Sequence, residues 1–529
     1  MKSWQPLLTG TLAERARQAV DEIAAVLAPA PATAPTGGSS RRPDGPEDPE
    51  RAAAPAGDPL AAPDPVAAPD ALAAAADTPS NPSLAGGTAG VALFFAYRAG
   101  RGDGPGAAGD SDAAGVLLER TTEALATTPL APDLYGGFAG VAWTAEHLYG
   151  PRFTPAVAAA PAETGEEEEE AKEEKAKEEE AAPETAAATE PPAAPPGEAA
   201  GEDAEDPLAE IDAALLRYLD HSPWTADFDL IRGLAGFGVY ALERLPRPSA
   251  IACLTKIVDR LAETAEHGPQ GTTWHTAPEL LPDWQRKLFP AGYYNLGVAH
   301  GVPAVVAMLG ATAAAAGRVG AAGDPAAAAL AGRARSLAEG ALRWLLAQQL
   351  PPGEASRFGS TFSPEAPPQR SRLAWCYGDP GIAAALLVTA RARGDAALER
   401  LAIELALEAA GRPMESSGVR DAGLCHGSAG LAHLFNRMYQ ETGEPRLADV
   451  SRRWFERALD FRQPGLGLAG YRAFQVEDDG VTEKWRADAG LLEGVAGIGL
   501  ALLAGLGDFE PAWDRILMLS AAGVEPAPS

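Results

Sequence analysis

Two cysteines and a histidine are the residues of this 529-residue chain whose types and spacing best suit chemistry. Cys376 and the adjacent pair Cys425-His426 each come just before a glycine-rich turn, and the chain has only one other cysteine, Cys253. Together they can supply two thiolates and one imidazole, a set that suits a catalytic zinc ion with three protein ligands and an open fourth position. The alternative is two ordinary buried cysteines and a turn histidine, since cysteine is among the most buried residue types.

The spacing of these candidate ligands differs from that of a zinc finger, in which paired ligands lie a few residues apart. A zinc site must therefore be assembled from separate turns that the fold brings together. A cysteine thiol has a pKa of about 8.5 and reacts as the thiolate. Zinc coordination removes that proton. The site is thus suited to chemistry on a nucleophilic sulfur.

A repeated turn indicates how the fold brings the candidate zinc ligands together. Gly-x-x-Gly followed at once by an apolar segment occurs six times, with a seventh, degenerate copy at Gly301–Ala304. The six full copies begin at Gly87, Gly137, Gly233, Gly378, Gly427 and Gly494. The segments that follow, such as Val91–Phe95, are apolar nearly all round, which predicts helices buried on every side. Segments with a single apolar stripe, such as Leu447–Leu459, lie between them.

Alternating buried and amphipathic helices at a long period are typical of a repeat architecture. Seven repeats that close on themselves predict an all-α fold, a seven-fold α/α toroid in which a double ring of helices has a buried inner ring. The glycine turns would gather at one end, where small residues let backbones approach closely. An irregular helix bundle would explain the helices but not seven similar turns.

Composition predicts the boundaries of the folded parts. Residues 1–28 are expected to form an N-terminal outer helix of the toroid, 81–157 its first part, and 207–529 the remainder with the zinc site. Residues 29–80 are an Ala/Pro-rich low-complexity linker, and 158–206 are an acidic low-complexity insertion. Neither of these two segments has enough large apolar side chains to offset the entropy of ordering. The acidic insertion carries about half of the formal charge of −30.

Several classes of protein are disfavoured. The negative charge argues against nucleic acid, whose phosphates require a basic surface. No uninterrupted apolar run of 18 or more residues predicts a transmembrane span, and the N-terminus resembles no signal peptide. A cytoplasmic location is expected, where thiols stay reduced.

Other polar residues precede the same turns. His300 comes directly before Gly301, Asp229 lies just ahead of the Gly233 turn, and Arg372 stands four residues before Cys376. If the turns converge, these side chains converge too, which packing alone explains poorly. Glu493, before the Gly494 turn, is given a structural role. Toroids that process sugars rely on paired carboxylates, whereas thiolates dominate here.

The motifs Trp375–Gly378, Cys425–Gly427 and Ala299–Gly301, together with the repeated turns, resemble the LanC family, the cyclases of class I lanthipeptide (lantibiotic) biosynthesis. The resemblance runs from about Leu84 to the C-terminus, apart from the acidic insertion. It implies a seven-fold α/α toroid with zinc at one end. It also implies addition of peptide cysteine thiols to dehydroalanine or dehydrobutyrine, which gives lanthionine and methyllanthionine.

Carried over residue by residue, the resemblance places one Zn²⁺ per chain on Cys376, Cys425 and His426. It places the further catalytic residues at His300, Arg372, Asp229 and Tyr377. The implied partner is a dehydrated precursor peptide with its leader, and a dehydratase and an exporter are further candidates. The chain has no room for fused dehydratase or kinase domains, so a stand-alone enzyme is implied.

The roles of the catalytic candidates stay open at this point. His300 could deprotonate the incoming thiol or protonate the enolate. Arg372 could stabilise the enolate or hold the peptide. Asp229 could orient His300 or Arg372, or cap a helix. Tyr377 could donate a hydrogen bond near the zinc or only pack.

Two other functions are compatible with the sequence. One is a LanC-like enzyme that adds a small thiol such as glutathione to dehydroamino acids in proteins. The other is a non-catalytic, zinc-containing scaffold that binds peptides.

Overall fold

The structure is a computed structural model that describes residues 4–29, 81–101, 106–150, 206–364, 369–477 and 479–522. Over these ranges the chain forms fifteen α-helices and six short strands. The helices are α1 (Gly10–Leu27), α2 (Thr88–Ala99), α3 (Ala107–Thr127), α4 (Phe138–Tyr149), α5 (Ala209–Tyr218), α6 (Leu234–Glu243), α7 (Pro248–Thr264), α8 (Asp283–Leu288), α9 (Val302–Ala321), α10 (Pro325–Leu346), α11 (Asp379–Arg393), α12 (Ala396–Ala410), α13 (Ser428–Thr442), α14 (Pro445–Asp460) and α15 (Val495–Leu506).

Seven of these helices form a closed inner ring. Each begins directly after the first glycine of one predicted turn, and we number these glycine turns 1 to 7 in chain order. The inner helices are α2, α4, α6, α9, α11, α13 and α15. Each contacts the next, and α15 contacts α2, so the ring closes. Every residue of α6 and of α15 is buried, as their apolarity predicts, and the buried Glu243 at the end of α6 pairs with Arg515.

An outer helix packs against each inner helix. The pairs are α3 with α2, α5 with α4, α7 with α6, α10 with α9, α12 with α11, α14 with α13, and α1 with α15. The amphipathic stripe of α14, for example, buries Leu447, Trp454 and Phe455 while its opposite face stays exposed. The predicted all-α double ring is confirmed, and α1 is the outer partner of the last inner helix.

Backbone hydrogen bonds join the seven glycine turns into a second ring at one end of the toroid, which we call the mouth. Most of the bonded residues stand two positions before the first glycine of their turn. In each pair the first residue donates its backbone N–H to the carbonyl of the second. The N···O distances are 2.9 Å for Ala85 to Tyr135, 3.4 Å for Tyr135 to Ile231, 3.1 Å for Leu230 to Ala299, 3.3 Å for Ala299 to Cys376, 3.3 Å for Cys376 to Cys425, 2.8 Å for Cys425 to Leu492, and 3.1 Å for Leu492 to Ala85. Residues far apart in the sequence therefore occupy equivalent places around one circle.

Glycine is required in these turns by geometry. Gly378 has φ +117°, a backbone conformation that residues with a Cβ rarely adopt. A Cβ on Gly430 would lie 1.9 Å from the carbonyl oxygen of Leu424, far inside van der Waals contact. The loop before each inner helix thus lies directly against the first turn of that helix.

Strands are few and lie in the longer connections before turns 4, 5 and 7. Three antiparallel pairs form: β1 (Glu266–Gly268) with β2 (Gly271–Thr273), β3 (Tyr294–Asn295) with β4 (Thr361–Phe362), and β5 (Ala473–Val476) with β6 (Glu483–Arg486). Tyr294 is opposite Phe362, and Ala473 is opposite Arg486. These short pairs leave the fold class all-α.

A short 3₁₀ segment, Ala512–Leu517, returns into the inner ring and is held there by polar contacts. Asp514 is fully buried and accepts hydrogen bonds from His433 at 2.9 Å and from Arg437 at 2.7 Å, both on α13. From turns 2 and 5, Tyr135 and Trp375 each donate at 2.8 Å to carbonyls of this segment. The segment therefore links opposite parts of the ring.

The predicted linker 29–80 and acidic insertion 158–206 lie outside the described residues, apart from Pro29 and Asp206. Asp206 forms an ion pair with the buried Arg244, at the start of the second part of the toroid. Among the described helices, α9 alone is long and apolar enough to cross a membrane by composition, and 78% of its apolar window is buried inside the protein. Its place in the inner ring accounts for that apolarity.

Candidate metal centre at the mouth

The three predicted zinc ligands lie together. Cys376 comes from turn 5, and Cys425 and His426 come from turn 6. The backbone N–H of Cys376 donates to the carbonyl of Cys425 at 3.3 Å, so the mouth ring itself places the two cysteines side by side. Their sulfurs and a ring nitrogen of His426 lie within 4.8 Å of one another.

This cluster fits a zinc ion by donor type and by spacing. A tetrahedral zinc ion with Zn–S bonds of about 2.3 Å holds two sulfur ligands about 3.8 Å apart, and the three ligand atoms here lie within 4.8 Å of one another, so small side-chain adjustments would let one ion bind all three. Cys376 is 3% and Cys425 8% exposed, so the thiols are sheltered from bulk water. Among the described residues, no other group of three or more Cys, His, Asp or Glu side chains could hold a metal ion.

The electrostatics of the cluster favour a thiolate. Burial by itself raises the pKa of Cys376, but a hydrogen bond with Cys425, the positive charge of Arg372 and the His426 ring together hold that pKa well below its usual value. Arg372 places Nη2 3.8 Å from the sulfur of Cys376. Burial also lowers the pKa of His426, yet the hydrogen bond with Cys376 outweighs it and raises this pKa to about 9. The site therefore stabilises negative charge on sulfur.

His300 and Asp229 form a second unit, contributed by turns 4 and 3. Nδ1 of His300 donates to Oδ2 of Asp229 at 2.5 Å, because a carboxylate only accepts. Asp229 is 3% exposed, and its Oδ1 accepts from the backbone N–H of Arg232 at 2.8 Å. The carboxylate thus orients the imidazole and fixes its tautomer. Of the alternatives for Asp229, contact with His300 is the one this geometry favours.

Tyr377 lies between these two units. It follows the candidate ligand Cys376 in turn 5, and its ring stacks on that of His300 with centroids 6.4 Å apart. Its hydroxyl oxygen accepts from Nδ2 of Asn295 at 3.0 Å. A Cβ on Gly297 would lie 2.5 Å from the Tyr377 ring, so a glycine makes room for the ring. Tyr377 both packs and hydrogen-bonds.

Several of the polar residues predicted to precede the turns share one equivalent position in the ring. The residue immediately before the first glycine of each turn is polar in turns 3 to 7, where it is Arg232, His300, Tyr377, His426 and Glu493 in that order. Glu493, for which the sequence predicts a structural role, is 18% exposed and lies near His426, and desolvation raises its pKa to about 7. Asn295 was missed, because its signal is spatial.

Helix pairs closed into a seven-fold ring, with a thiol–imidazole cluster at the mouth, define the class: an α/α toroid with a candidate metal centre. The chain belongs to the lanthionine synthetase C-like family, whose model matches residues 78–518. Among solved structures, one described as nisin cyclase is similar, with a TM-score of 0.54 at 16% identity over 84% of this chain and 93% of that one. At this identity the likeness concerns the fold alone. A comparison with curated proteins gives no match.

Proposed function

We propose that this protein is a zinc-dependent lanthipeptide cyclase. It adds cysteine thiolates of a dehydrated precursor peptide to dehydroalanine or dehydrobutyrine residues of the same peptide, and so forms (methyl)lanthionine rings. The observation that carries this proposal is the cluster of Cys376, Cys425 and His426 at the same mouth as the His300–Asp229 pair. Membership of the lanthionine synthetase C-like family supports it.

The reaction forms a carbon–sulfur bond at Cβ of the dehydro residue, moves the electrons of the double bond to Cα and the carbonyl as an enolate, and ends with a proton on Cα. A bound zinc ion would supply the positive charge that keeps an incoming thiol deprotonated. Arg372, close to the sulfur of Cys376, supplies further positive charge for the thiolate or the enolate.

His300 moves the proton. Because its Nδ1 donates to Asp229, Nε2 is the nitrogen that exchanges a proton with the substrate. It can accept the proton of the thiol and return it to Cα, which balances the reaction within one active site. Asp229 stabilises the imidazolium that forms between the two transfers.

The proposal also implies which other proteins act on the peptide and in which compartment the reaction takes place. The dehydro residues come from a dehydratase that acts on the precursor, and the ring-bearing product is passed to an exporter. We place the reaction in the cytoplasm, because the protein's thiols and those of the substrate must stay reduced.

The test combines zinc content with turnover. Purified wild-type protein is expected to hold one zinc per chain and to cyclise a synthetic peptide that contains one dehydroalanine and one cysteine. Because this addition leaves the mass unchanged, cyclisation is followed as loss of the peptide thiol that an alkylating reagent can label. Cys425→Ala is expected to lose both zinc and turnover. Cys253→Ala is the matched control, since Cys253 is buried on α7 and lies outside the cluster.

The same assay separates the other candidate functions. With glutathione in excess, addition of the small thiol would raise the mass of the peptide by one glutathione, which would favour the glutathione-adding enzyme. Zinc and peptide binding without loss of the thiol would indicate a scaffold. A well-folded wild-type protein that takes up no zinc when supplied with it would contradict the proposal.

A further inference from the structure

Asn295 is a buried amide, 1% exposed, that uses both ends of its side chain. Its Oδ1 accepts from the backbone N–H of Gly297 at 2.8 Å, and its Nδ2 donates to the hydroxyl oxygen of Tyr377 at 3.0 Å. The first bond fixes the orientation of the amide, because an NH₂ group cannot accept from a backbone N–H. Nδ2 must therefore face Tyr377.

This arrangement determines the polarity of the Tyr377 hydroxyl. The amide nitrogen of Asn295 has no acceptor capacity, so the phenolic proton cannot point toward it. The phenol consequently acts as a donor in another direction. Tyr377 directly follows Cys376 and stacks on His300, so it stands between the sulfur cluster and the proton-transfer pair. Successive hydrogen bonds of this kind polarise one another and strengthen the terminal donor.

We propose that Asn295 is a positioning residue, which holds Tyr377 as a hydrogen-bond donor to the carbonyl oxygen that gains negative charge when a thiolate adds to the dehydro residue. A preorganised donor of this kind stabilises charge that develops in the transition state. This inference rests on the proposed cyclase function. Tyr377 would contact the substrate, whereas Asn295 acts only through Tyr377.

The repeated turns indicate a substitution that would reverse the hydrogen-bond polarity at Tyr377 without disturbing the turn that Asn295 forms. Asn or Asp stands six residues before the first glycine in five turns, and in four of them its Oδ1 accepts from the backbone N–H two residues on. The acceptors are Asn81, Asn295, Asp421 and Asp488, at 3.0, 2.8, 3.1 and 2.7 Å. Asp therefore forms the same turn as Asn. In Asn295→Asp the carboxylate would accept from Tyr377 and draw its proton away from the substrate.

The experiment measures kcat, KM, zinc content and the midpoint of thermal unfolding for Asn295→Asp, Tyr377→Phe and the double variant. Each single variant is expected to lose about a hundredfold in kcat, with KM and zinc content close to wild type. The double variant is expected to be no slower than Tyr377→Phe. Asn81→Asp, the equivalent change in turn 1, is the matched control and should keep wild-type kcat.

Wild-type kcat in Asn295→Asp would overturn the inference, and so would a loss that multiplies with that of Tyr377→Phe. If Asn295→Asp fails to fold, Asn295→Ser takes its place, since a serine hydroxyl can accept from the Gly297 N–H but cannot reproduce the amide donor. Asn295→Ser should then lower kcat when it is introduced into the wild type but should cause no further loss when it is introduced into Tyr377→Phe. Absence of cyclisation by the wild type would instead overturn the proposed function.

Discussion

His300 and Asp229 show how two residues that neither adjoin in sequence nor share a helix become one unit. They come from neighbouring turns of the mouth ring, and the backbone bond from Leu230 to Ala299 joins those turns beside them. The carboxylate selects the tautomer that carries its proton on Nδ1, and the proposed function uses Nε2 for proton exchange. The same logic operates in triads, where loss of the orienting carboxylate costs several orders of magnitude in rate.

The first prediction concerns this pair. His300→Ala should keep one zinc per chain but lose about 10²–10⁴-fold in kcat, the usual contribution of a positioned acid or base. Asp229→Asn should also lower kcat, because its amide can present a donor to Nδ1 and favour the wrong tautomer. Single-turnover cyclisation measures both, with the exposed His221→Ala as control. Wild-type turnover in His300→Ala would show that His300 is not the acid or base of the reaction.

The glycine turns are the elements that position the site. In turn 6 the two candidate ligands Cys425 and His426 stand directly before Gly427, and Gly430 packs against the carbonyl of Leu424. Any side chain at Gly430 must push the start of α13 away from the loop that carries the ligands. The position of the candidate metal centre is therefore coupled to the close packing at the start of α13.

The second prediction follows. Gly430→Ala should destabilise the protein by more than 1 kcal/mol, as overpacking typically costs about 1–3 kcal/mol, and should weaken zinc binding. Gly332→Ala is the matched control, because Gly332 lies in the outer helix α10 and a Cβ there meets nothing within 4 Å. That change should stabilise the helix by roughly 0.5–1 kcal/mol. Urea unfolding with zinc titration measures both variants. A Gly430→Ala protein with wild-type stability and zinc affinity would contradict the packing argument.

The 3₁₀ segment Ala512–Leu517 is an element of a different kind, because a buried carboxylate fixes it in the ring. Burial alone raises the pKa of Asp514, but the charge of Arg437 and the hydrogen bond from His433 outweigh it and lower this pKa to about 2. The unfolded value of 3.8 lies above that. The ionised carboxylate therefore stabilises the folded state above pH 4 by roughly 2 kcal/mol.

The third prediction is a pH dependence with a defined sign. Stability should fall as pH drops from about 4 toward 2, where Asp514 takes up a proton. Burial also lowers the pKa of His433 below 6.5, so stability should already decline below that pH as the unfolded chain binds the proton first. Asp514→Asn should cost about 3–5 kcal/mol, because it removes a buried partner of Arg437.

Denaturant unfolding between pH 7 and about pH 2 measures these changes, with the exposed Asp508→Asn as control. Equal stability of Asp514→Asn and wild type at pH 7 would show that the segment is held by apolar contacts alone.

The seven turns and the helix after each of them were predictable from the sequence, because a glycine pair followed by uniform apolarity is a local signal. The candidate ligands were predictable for the same reason. Asn295 and the Ala512–Leu517 segment were not, since their importance depends on partners far away in the sequence. Asp514 meets His433 and Arg437 only once α13 has taken its place in the ring, and no spacing in the sequence encodes that contact.

At the scale of the whole molecule, Arg244 indicates where the segment outside the described residues leaves and rejoins the toroid. Its guanidinium is fully buried and pairs with Glu146 at the end of α4, at 2.8 Å, and with Asp206 before α5. The two flanks of residues 151–205 therefore lie next to each other. The toroid is continuous across this point without the segment between them.

The fourth prediction is that a short Gly/Ser linker can replace residues 153–204. The variant should keep its zinc, its free energy of unfolding and its helix content by circular dichroism, while losing about half of the chain's negative charge. A longer deletion that ends at residue 218 also removes α5 and should abolish cooperative unfolding. Loss of zinc in the shorter deletion would show that the acidic segment is part of the folded unit.

The pairing of α1 with α15 has a consequence for how the protein is made. Trp4 donates to the carbonyl of Ala504 at 2.8 Å, and the backbone N–H groups of Leu7 and Leu8 both donate to that of Gly505 at 2.9 Å. During translation, α1 leaves the ribosome long before the helix it packs against has been synthesised. The nascent chain must therefore carry several almost wholly apolar helices with no closed ring to bury them, the situation in which chaperones are needed. Assembly of the mouth is consequently completed only after the last inner helix has been synthesised.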